Sequence, residues 1–132
     1  GSLGKQLHLR IRDIYLQNEK PVVSPDTLMQ SVIFEISSKR LGATAVINEN
    51  EELLGIITDG DIRRMLVKHP DFINLTAAQV MTINPKSLSP DMLAKDALDL
   101  IRENSITQLP VVENGKYLGM VHLHDLLKEG IG

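Results

Sequence analysis

The sequence contains no cysteine and no tryptophan, and it has only two tyrosines and two phenylalanines among 132 residues. Without cysteine there is no disulfide framework, no thiol nucleophile and no zinc ribbon. The scarcity of aromatic side chains and a formal net charge of -3 disfavour nucleic-acid binding. No apolar run approaches the roughly 20 residues that a transmembrane helix needs. Composition therefore predicts a globular protein of the cytoplasm that binds neither nucleic acid nor membrane.

One stretch, from Leu54 to Arg64, joins an apolar run to a hydroxyl, a glycine and a carboxylate, after which an amphipathic pattern begins. This order predicts a strand that delivers Thr58 and Asp61 to the first turn of a helix. Such a turn presents N–H groups without intrahelical partners and the positive end of the helix dipole, so it favours an anion. An ionised Asp61 can only accept hydrogen bonds, which suits a vicinal diol and would repel a phosphate. Alternatively, both residues simply cap the helix, which is typically worth about 1 kcal/mol.

The same pattern recurs about sixty residues later, from Leu118 to Leu127. Ser24-Pro25-Asp26 matches Ser89-Pro90-Asp91 at an offset of 65 residues, and Asp61 matches Asp125 at an offset of 64. We therefore divide the chain into an arm (residues 1–10), a first repeat (11–70) and a second repeat (71–132). Two units are too few for a solenoid, so they should bury their apolar faces against each other.

Each repeat is predicted to run strand, helix, strand, strand, helix. The two Ser-Pro-Asp triplets are interpreted as helix starts, with serine at the N-cap and proline at the first helical position. Gly42 is expected to end the first long helix, and strands are expected at residues 43–47 and 53–58. The next helix should run from about Asp61 and stop before Pro70.

The repeat resembles a CBS domain, and the whole chain resembles a CBS pair, also called a Bateman module. Four segments carry this resemblance: Gly55 to Ile62, Ala78 to Thr82, Gln108 to Val112 and Gly119 to Leu127. The resemblance implies an α/β (α+β) fold of tandem repeats related by a pseudo-two-fold axis. Each repeat would have a small three-stranded mixed sheet and two helices.

A narrower resemblance is to the C-terminal CBS pair of bacterial arabinose-5-phosphate isomerases of the KpsF/GutQ group. It is carried by Leu9 to Ile14, Thr58 to Arg64 and His122 to Leu127. In that family an upstream SIS domain interconverts ribulose 5-phosphate and arabinose 5-phosphate, on the way to Kdo and CMP-Kdo for lipopolysaccharide and capsule. The resemblance implies that this chain is a regulatory fragment of such an enzyme and that residues 1–10 are a linker from the catalytic domain.

The CBS resemblance also implies a ligand site, in which Thr58 contacts a phosphate and Asp61 accepts hydrogen bonds from ribose hydroxyls. Its candidate residues are Thr58, Asp59, Gly60, Asp61 and Arg63 at the strand-to-helix turn, Thr44 and Ala45 on the preceding strand, Gln108, Leu109 and Pro110 on the matching strand, and His122, His124 and Asp125 in the second motif. Arg63 and Arg64 either hold an anion or form a solvated helix face.

The second motif has His122 where the first has a threonine. His122 can still donate to an anion, and its charge would then respond to pH near 6.5. His122 and His124 alternate, which on a strand would give them one face and metal-ligand spacing. The other interpretation is that His124 already belongs to the helix cap. With no cysteine and no obvious third ligand, no metal is expected.

These features predict a sensor of a nucleotide or nucleotide-sugar, with CMP-Kdo or CMP as the candidates that the isomerase resemblance suggests. The alternative is a ligand-free oligomerisation module of the same enzyme. A homodimer of CBS pairs is expected in either case, with no resident cofactor. No Ser–His–Asp arrangement, paired carboxylates or phosphate loop with a lysine supports catalysis by the chain alone.

Overall fold

A computed structural model describes residues 7–131 of the chain. The elements in chain order are β1 (Val22–Val23), α1 (Met29–Lys39), β2 (Ala43–Ile47), β3 (Leu53–Thr58), α2 (Asp59–Lys68), α3 (Ala77–Val80), β4 (Thr82–Ile83), α4 (Ala94–Glu103), β5 (Gln108–Glu113), β6 (Lys116–His122) and α5 (Leu123–Lys128). Short 3-10 turns lie at Ile11–Asp13, Tyr15–Gln17 and Phe72–Asn74. The predicted order occurs as β1-α1-β2-β3-α2 in the first repeat and as the extended segment at Leu88, α4, β5, β6 and α5 in the second, so the mixed α/β repeat is confirmed. The predicted arm falls largely outside the described residues.

The strands of the described chain form two sheets. The first has the order β1-β2-β3-β4, in which β1 and β2 are parallel and the other pairs are antiparallel. The second pairs β5 with β6 and is extended by a parallel bridge from Leu88 to Val111. At an offset of 65 residues, that bridge corresponds to the pairing of Val23 with Val46. The sheets differ from the expected three strands each because β4, from the second repeat, pairs with β3 of the first.

The leading segment of each repeat packs into the core of the other repeat. Ile11 and Ile14 are buried in one cluster with Leu98 of α4. Ala77 of α3 is buried in another cluster with Val32 of α1. Each hydrophobic core is therefore completed by residues from the other half of the sequence. The division of the chain at residue 70 remains a prediction about the sequence repeat.

A third buried cluster lies between the two sheets and includes Ala43, Ala45, Tyr117 and Met120. The Tyr117 hydroxyl donates to the carbonyl of Pro21 over 2.7 Å, just before β1. Burial, with a smaller contribution from nearby negative charge, raises the pKa of Tyr117 far above its ordinary value. The phenol therefore stays neutral and can donate this hydrogen bond, which ties the second sheet to the first.

The Ser-Pro-Asp triplets are not helix starts, so this prediction was wrong. Helix α1 begins at Met29 after Leu28, and α4 begins at Ala94 after Leu93. The Ser24 hydroxyl donates to the Asp26 carboxylate over 2.6 Å, and the triplet forms a turn before the helix. The first N–H group of α1 donates instead to the carbonyl of Leu75 over 3.0 Å. A distant backbone acceptor thus replaces the capping side chain that the sequence suggested.

Strands β2 and β3 have the predicted bounds, whereas the helices beside them begin or end at other residues. Helix α1 ends at Lys39, and Arg40 forms its left-handed cap with φ of 65°. Gly42 lies two residues beyond this cap with φ of +72°. Because this φ lies in the left-handed region, a residue with a Cβ atom would be strained there, and its Cβ would lie 2.6 Å from Nε2 of Gln108. Helix α2 begins at Asp59, two residues earlier than predicted.

Candidate functional site

The turn from β3 to α2 is closed by two reciprocal hydrogen bonds. Thr58 is the N-cap, and its Oγ1 accepts from the N–H of Asp61 over 3.2 Å. Oδ2 of Asp61 in turn accepts from the N–H of Thr58 over 2.9 Å. Each side chain thereby satisfies an N–H group that the helix itself cannot. The capping role weighed from the sequence is thus present for both residues, and ligand binding would be an additional role.

The carboxylate of Asp61 has further partners on both oxygens. Oδ2 also accepts from the Thr58 hydroxyl over 3.2 Å. Oδ1 accepts from Nη2 of Arg64 over 2.7 Å and from the hydroxyl of Thr82 over 3.3 Å. An ionised carboxylate offers about four lone-pair positions, so these contacts occupy it fully. The Asp61 side chain is only 10% exposed, whereas that of Arg64 is 66% exposed.

A cleft of about 700 Å³ opens beside this turn and is shared by both repeats. Its lining comprises Ile56, Thr58, Asp59, Gly60, Arg63 and Arg64 from the first repeat and Thr82, Asn84, Pro85, Lys86, Asn104, Ser105, Ile106, Thr107, Gln108 and Leu109 from the second. This volume falls within the range of small-molecule sites. The structure therefore brings six of the candidates together along one cleft: Thr58, Asp59, Gly60, Arg63, Gln108 and Leu109.

The charge of the cleft favours an anion. Arg63, Arg64 and Lys86 line it, whereas Asp59 is its one lining carboxylate among the described residues. Arg63 and Lys86 are exposed, and neither forms an ion pair within residues 7–131. Both are therefore available for a ligand. A second groove, of about 770 Å³ along β1 and the β2–β3 turn, has two carboxylates and no cation in its described lining, so it suits an anion less.

Helix α2 adds its N-terminus to this charge. The first four N–H groups of a helix region lack intrahelical acceptors. The N–H groups of Thr58 and Asp61 bond to each other's side chains, and that of Asp59 donates to the Gly42 carbonyl over 3.0 Å. The fourth belongs to Gly60, which lines the cleft. The cleft therefore receives a backbone donor at the positive end of a ten-residue helix.

The opposite wall is polar at its rim and apolar behind. Ile56, Ile106 and Leu109 supply apolar surface. Oε1 of Gln108 accepts from the hydroxyl of Thr107 over 2.8 Å, which leaves its amide group as a donor. That amide lies against Gly42, where a Cβ atom would also come within 3.2 Å of the Asp59 carboxylate. The missing side chain at Gly42 lets the two repeats approach closely at this wall.

The three candidates on strands β2 and β5 other than Gln108 and Leu109 lie away from the lining of the cleft, and Asp61 lies behind Arg64 rather than in the lining. Thr44 and Ala45 are fully buried in β2, and the Thr44 hydroxyl donates to the Ala45 carbonyl over 3.1 Å. Pro110 is buried in β5, and its carbonyl accepts from the N–H of Leu88 over 2.9 Å. These residues support the strands that carry the site. Their membership of the ligand site stays a prediction.

The second motif forms a separate turn, in which His122 is the N-cap of α5. Its Nδ1 accepts from the N–H of His124 over 3.0 Å, and the two rings lie 4.5 Å apart. His124 thus belongs to the first turn of the helix, as one of the two interpretations proposed. Oδ2 of Asp125 accepts from the N–H of His122 over 2.7 Å and from the side chain of Asn18 over 2.8 Å.

Protonation of His122 conflicts with this geometry, because the nitrogen that accepts must remain without a proton. Partial burial lowers the pKa of His122, the charge of His124 lowers it further, and Asp125 opposes both. At neutral pH the ring is therefore an acceptor at Nδ1. Within residues 7–131 no three His, Cys, Asp or Glu side chains cluster as metal ligands, and no helix there is long and apolar enough to cross a membrane.

Sequence reasoning missed the residues that contact the two aspartates from the other repeat. Thr82 bonds to Asp61, and Asn18 bonds to Asp125. Thr82 lies 64 residues after Asn18, and Asp125 lies 64 residues after Asp61. Comparison of the two repeats could therefore have identified Asn18 and Thr82 as matching positions. Lys86 and the loop from Asn104 to Thr107 left no such signal, because only the packing of the repeats brings them to the cleft.

A family model described as "CBS domain" matches residues 11–68 and 77–132. Arabinose 5-phosphate isomerase KdsD of Yersinia pestis is 41% identical over 132 residues, which are 99% of this chain and 40% of that protein. KdsD of Francisella tularensis subsp. tularensis is 44% identical over 130 residues, which are 97% of this chain and 39% of that protein. The chain thus spans about 40% of the length of these curated relatives.

Solved structures show the same fold. The CBS domain of a CBS domain containing membrane protein from Sphaerobacter thermophilus has a TM-score of 0.78 at 26% identity, covering 96% of this chain and 90% of that one. CBSX2 in complex with AMP has a TM-score of 0.79 at 22% identity, covering 92% of this chain and 96% of that one. At that identity the second likeness shows the fold alone.

Proposed function

Because this chain belongs to the CBS domain family and contains two tandem copies of the domain, we propose that it is a regulatory module that senses a nucleotide or nucleotide-sugar. The observation that carries this proposal is the composition of the shared cleft. Three cationic side chains, the Thr58 hydroxyl and the N–H of Gly60 meet there beside an apolar wall. A phosphate would bind at the cationic end, and a base would lie against the apolar wall.

Asp61 gives the ligand its orientation in this arrangement. Its carboxylate would accept hydrogen bonds from ribose hydroxyls once present partners have moved away, and it would repel a phosphate in the same place. The AMP complex of the similarly folded CBSX2 supports the ligand class. That complex does not indicate which base this chain binds. The cleft offers a base both the side-chain amide donor of Gln108 and apolar contacts.

The relatives suggest a more specific role. Both quoted curated relatives are named arabinose 5-phosphate isomerases, and each is much longer than this chain. The chain would then act beside an SIS catalytic domain in a cytoplasmic enzyme of Kdo biosynthesis. CMP-Kdo or CMP would be its ligand, because a pathway end product is a sensible signal for a sensor that lies apart from the catalytic site. The chain itself would bind without catalysing.

A second candidate is an oligomerisation module, and exposed apolar side chains favour it. Phe34 of α1 is 72% exposed, Val67 of α2 is 83% exposed, and Ile73 beyond α2 is 60% exposed. A partner that covered these side chains would remove apolar surface from water, which favours association. A homodimer formed through the helices would cover them. The two candidates are compatible, but only the first requires a ligand.

Thermal unfolding with a panel of CMP, CMP-Kdo, AMP, ATP, arabinose 5-phosphate and buffer tests the proposal. A ligand at a hundred times its Kd stabilises the folded state by about 2.7 kcal/mol, which for this length shifts Tm by roughly 10 °C. The shift should fall in the double variant Arg63→Ala/Lys86→Ala. Lys95→Ala removes an exposed positive charge from α4, outside the cleft, and is the matched control.

The outcomes separate the two candidates. A shift with a nucleotide that persists in the control and falls in the double variant supports the sensor. No shift with any ligand, together with a dimer in light scattering, supports the oligomerisation module alone. Turnover of arabinose 5-phosphate by the chain would contradict both.

A further inference from the structure

The ion pair between Arg64 and Asp61 lies at the edge of the proposed ligand cleft. We infer that Arg64 is a specificity-determining residue that covers Asp61 in the absence of ligand. A ligand with both an anionic group and a pair of hydroxyls displaces it: the anion pairs with Arg64, and the hydroxyls donate to Asp61. This inference rests on the proposed function of the cleft and specifies the chemistry that the cleft requires of its ligand.

Asp61 has no spare acceptor position. Its two oxygens already accept from the Thr58 backbone and hydroxyl, from Arg64 and from Thr82. With about four lone-pair positions in use, a ligand hydroxyl can bind only if one donor leaves. Asp61 is also absent from the cleft lining, whereas Arg64 is part of it. Access to the carboxylate therefore requires a displacement.

Among the donors to Asp61, Arg64 is the charged one, so it is the donor that an anionic ligand can attract away. The Thr58 N–H is fixed by the start of α2, and its loss would remove the helix cap. The Arg64 side chain is 66% exposed and reaches Asp61 from three residues along the same helix. Water competes for the exposed guanidinium, so Arg64 can leave without itself becoming buried and unpaired. Arg64 is thus the partner that a ligand can replace.

Arg64 also lies where an anion would bind. A Cβ atom placed on Gly60 would lie 3.4 Å and 3.5 Å from the two terminal guanidinium nitrogens and 3.6 Å from the Thr58 hydroxyl. The guanidinium therefore packs against the first turn of α2. An anion at the Gly60 N–H would be within its reach. Arg64 can exchange a carboxylate for the ligand's anion in a short movement.

The ligand's two groups therefore act together. A nucleoside can donate its hydroxyls to Asp61 only by leaving Arg64 without a counter-charge. A bare phosphate pairs with Arg64 but has no ribose hydroxyls to donate to Asp61. A nucleoside 5′-monophosphate satisfies both groups in one exchange. The cleft thus discriminates between a nucleotide and its nucleoside by more than the phosphate contact itself.

NMR titration of the whole chain, followed at the Gly60 amide, tests this inference with two matched ligand pairs, cytidine with CMP and adenosine with AMP. Wild type is compared with Arg64→Ala and with Arg63→Ala, which removes the same charge from the same cleft without touching Asp61. Thermal unfolding checks that both variants fold, which is expected for exposed positions.

Arg64→Ala should weaken nucleotide binding about 10-fold and strengthen nucleoside binding about 3-fold, because Asp61 is then uncovered. Arg63→Ala should also weaken nucleotide binding, but it should not strengthen nucleoside binding. If Arg64→Ala leaves nucleoside affinity unchanged or lowers it while CMP or AMP binds wild type, the inference is wrong and the proposed function stands. If no nucleotide binds wild type, both fall together.

Discussion

Thr58 and His122 occupy corresponding positions in the two repeats, and each caps the helix that follows its strand. In both turns an aspartate three residues later accepts from the N–H of the capping residue, over 2.9 Å for Asp61 and 2.7 Å for Asp125. The backbone arrangement is therefore retained although a hydroxyl supplies the capping acceptor in one turn and an imidazole nitrogen supplies it in the other. Capping needs an acceptor, and it tolerates different kinds of acceptor.

The groups that would hold a ligand differ between the same two turns. The position of Gly60 in the first is taken by His124 in the second, and the position of Arg63 is taken by Leu127. Helix α2 has ten residues, whereas α5 has six. The first turn thus combines the cap with anion-binding groups, and the second keeps the cap and carries fewer cations. This contrast suggests that both repeats use the same helix cap, whereas the anion-binding groups are concentrated in the first.

The contrast extends to the leading segments, and the largest predicted effect tests it there. Ile14 is buried in the core of the second repeat, whereas Val80, the corresponding residue of the other leading segment, only partly buries its side chain against the core of the first. Ile14→Ala should lower the free energy of unfolding by about 3 kcal/mol because it leaves a cavity. Val80→Ala should lower it by about 1 kcal/mol. Urea unfolding measures both, and equal losses would contradict the asymmetry.

A smaller effect concerns binding stoichiometry. If only the first turn holds a nucleotide, isothermal titration of the binding ligand should give one site per chain. Any second event should be at least about 10-fold weaker, a difference of about 1.4 kcal/mol. Two sites of equal affinity would contradict the predicted difference in ligand binding between the two turns. They would also show that His122 and Asp125 bind as well as Thr58 and Asp61 do.

The smallest effect is a pH dependence specific to the second turn. Burial lowers the pKa of His122, so the folded state binds the proton less readily than the unfolded state. The stability that the neutral ring contributes is therefore complete above about pH 6.5 and is lost as pH falls towards the lowered folded-state pKa. The loss should be below about 1 kcal/mol, because the ring is partly exposed.

The variant His122→Thr sharpens this test by copying the first turn into the second. A threonine caps without titrating, so the difference in stability between the variant and wild type should grow as pH falls from 7.5 to 5.5. His8 and His69 remain in both proteins and cancel from the comparison. A constant difference across this range would show that the capping nitrogen of His122 does not control the acid response.

The sequence alone was enough for the repeat, for both bounds of β2 and β3, and for the meeting of strand and helix at Thr58. These depend on local patterns, an apolar run and the polar residues that end it. The helix starts at Met29 and Ala94 were missed because a tertiary contact replaces the side-chain cap that a local pattern suggests. Local order could not reveal that distant packing would satisfy these N–H groups.

The candidate site divides in the same way. Thr58, Gly60 and Arg63 follow from one contiguous motif, and the structure places them together. Lys86 reaches the cleft only because β4 joins the sheet of the first repeat, and no spacing in the sequence announces that pairing. The cover that Arg64 forms over Asp61 depends on rotamers, which a motif does not specify.

The reciprocal exchange of leading segments has a consequence for cutting the chain. The connector between α2 and α3 carries the bridge between Leu28 and Thr76, and both hydrophobic clusters draw residues from either side of it. Proteolytic nicking near Pro70 should therefore leave two fragments that remain associated in a non-covalent complex. Expressed separately, such halves should reconstitute a single particle on mixing, which would make the chain a natural scaffold for split-protein complementation.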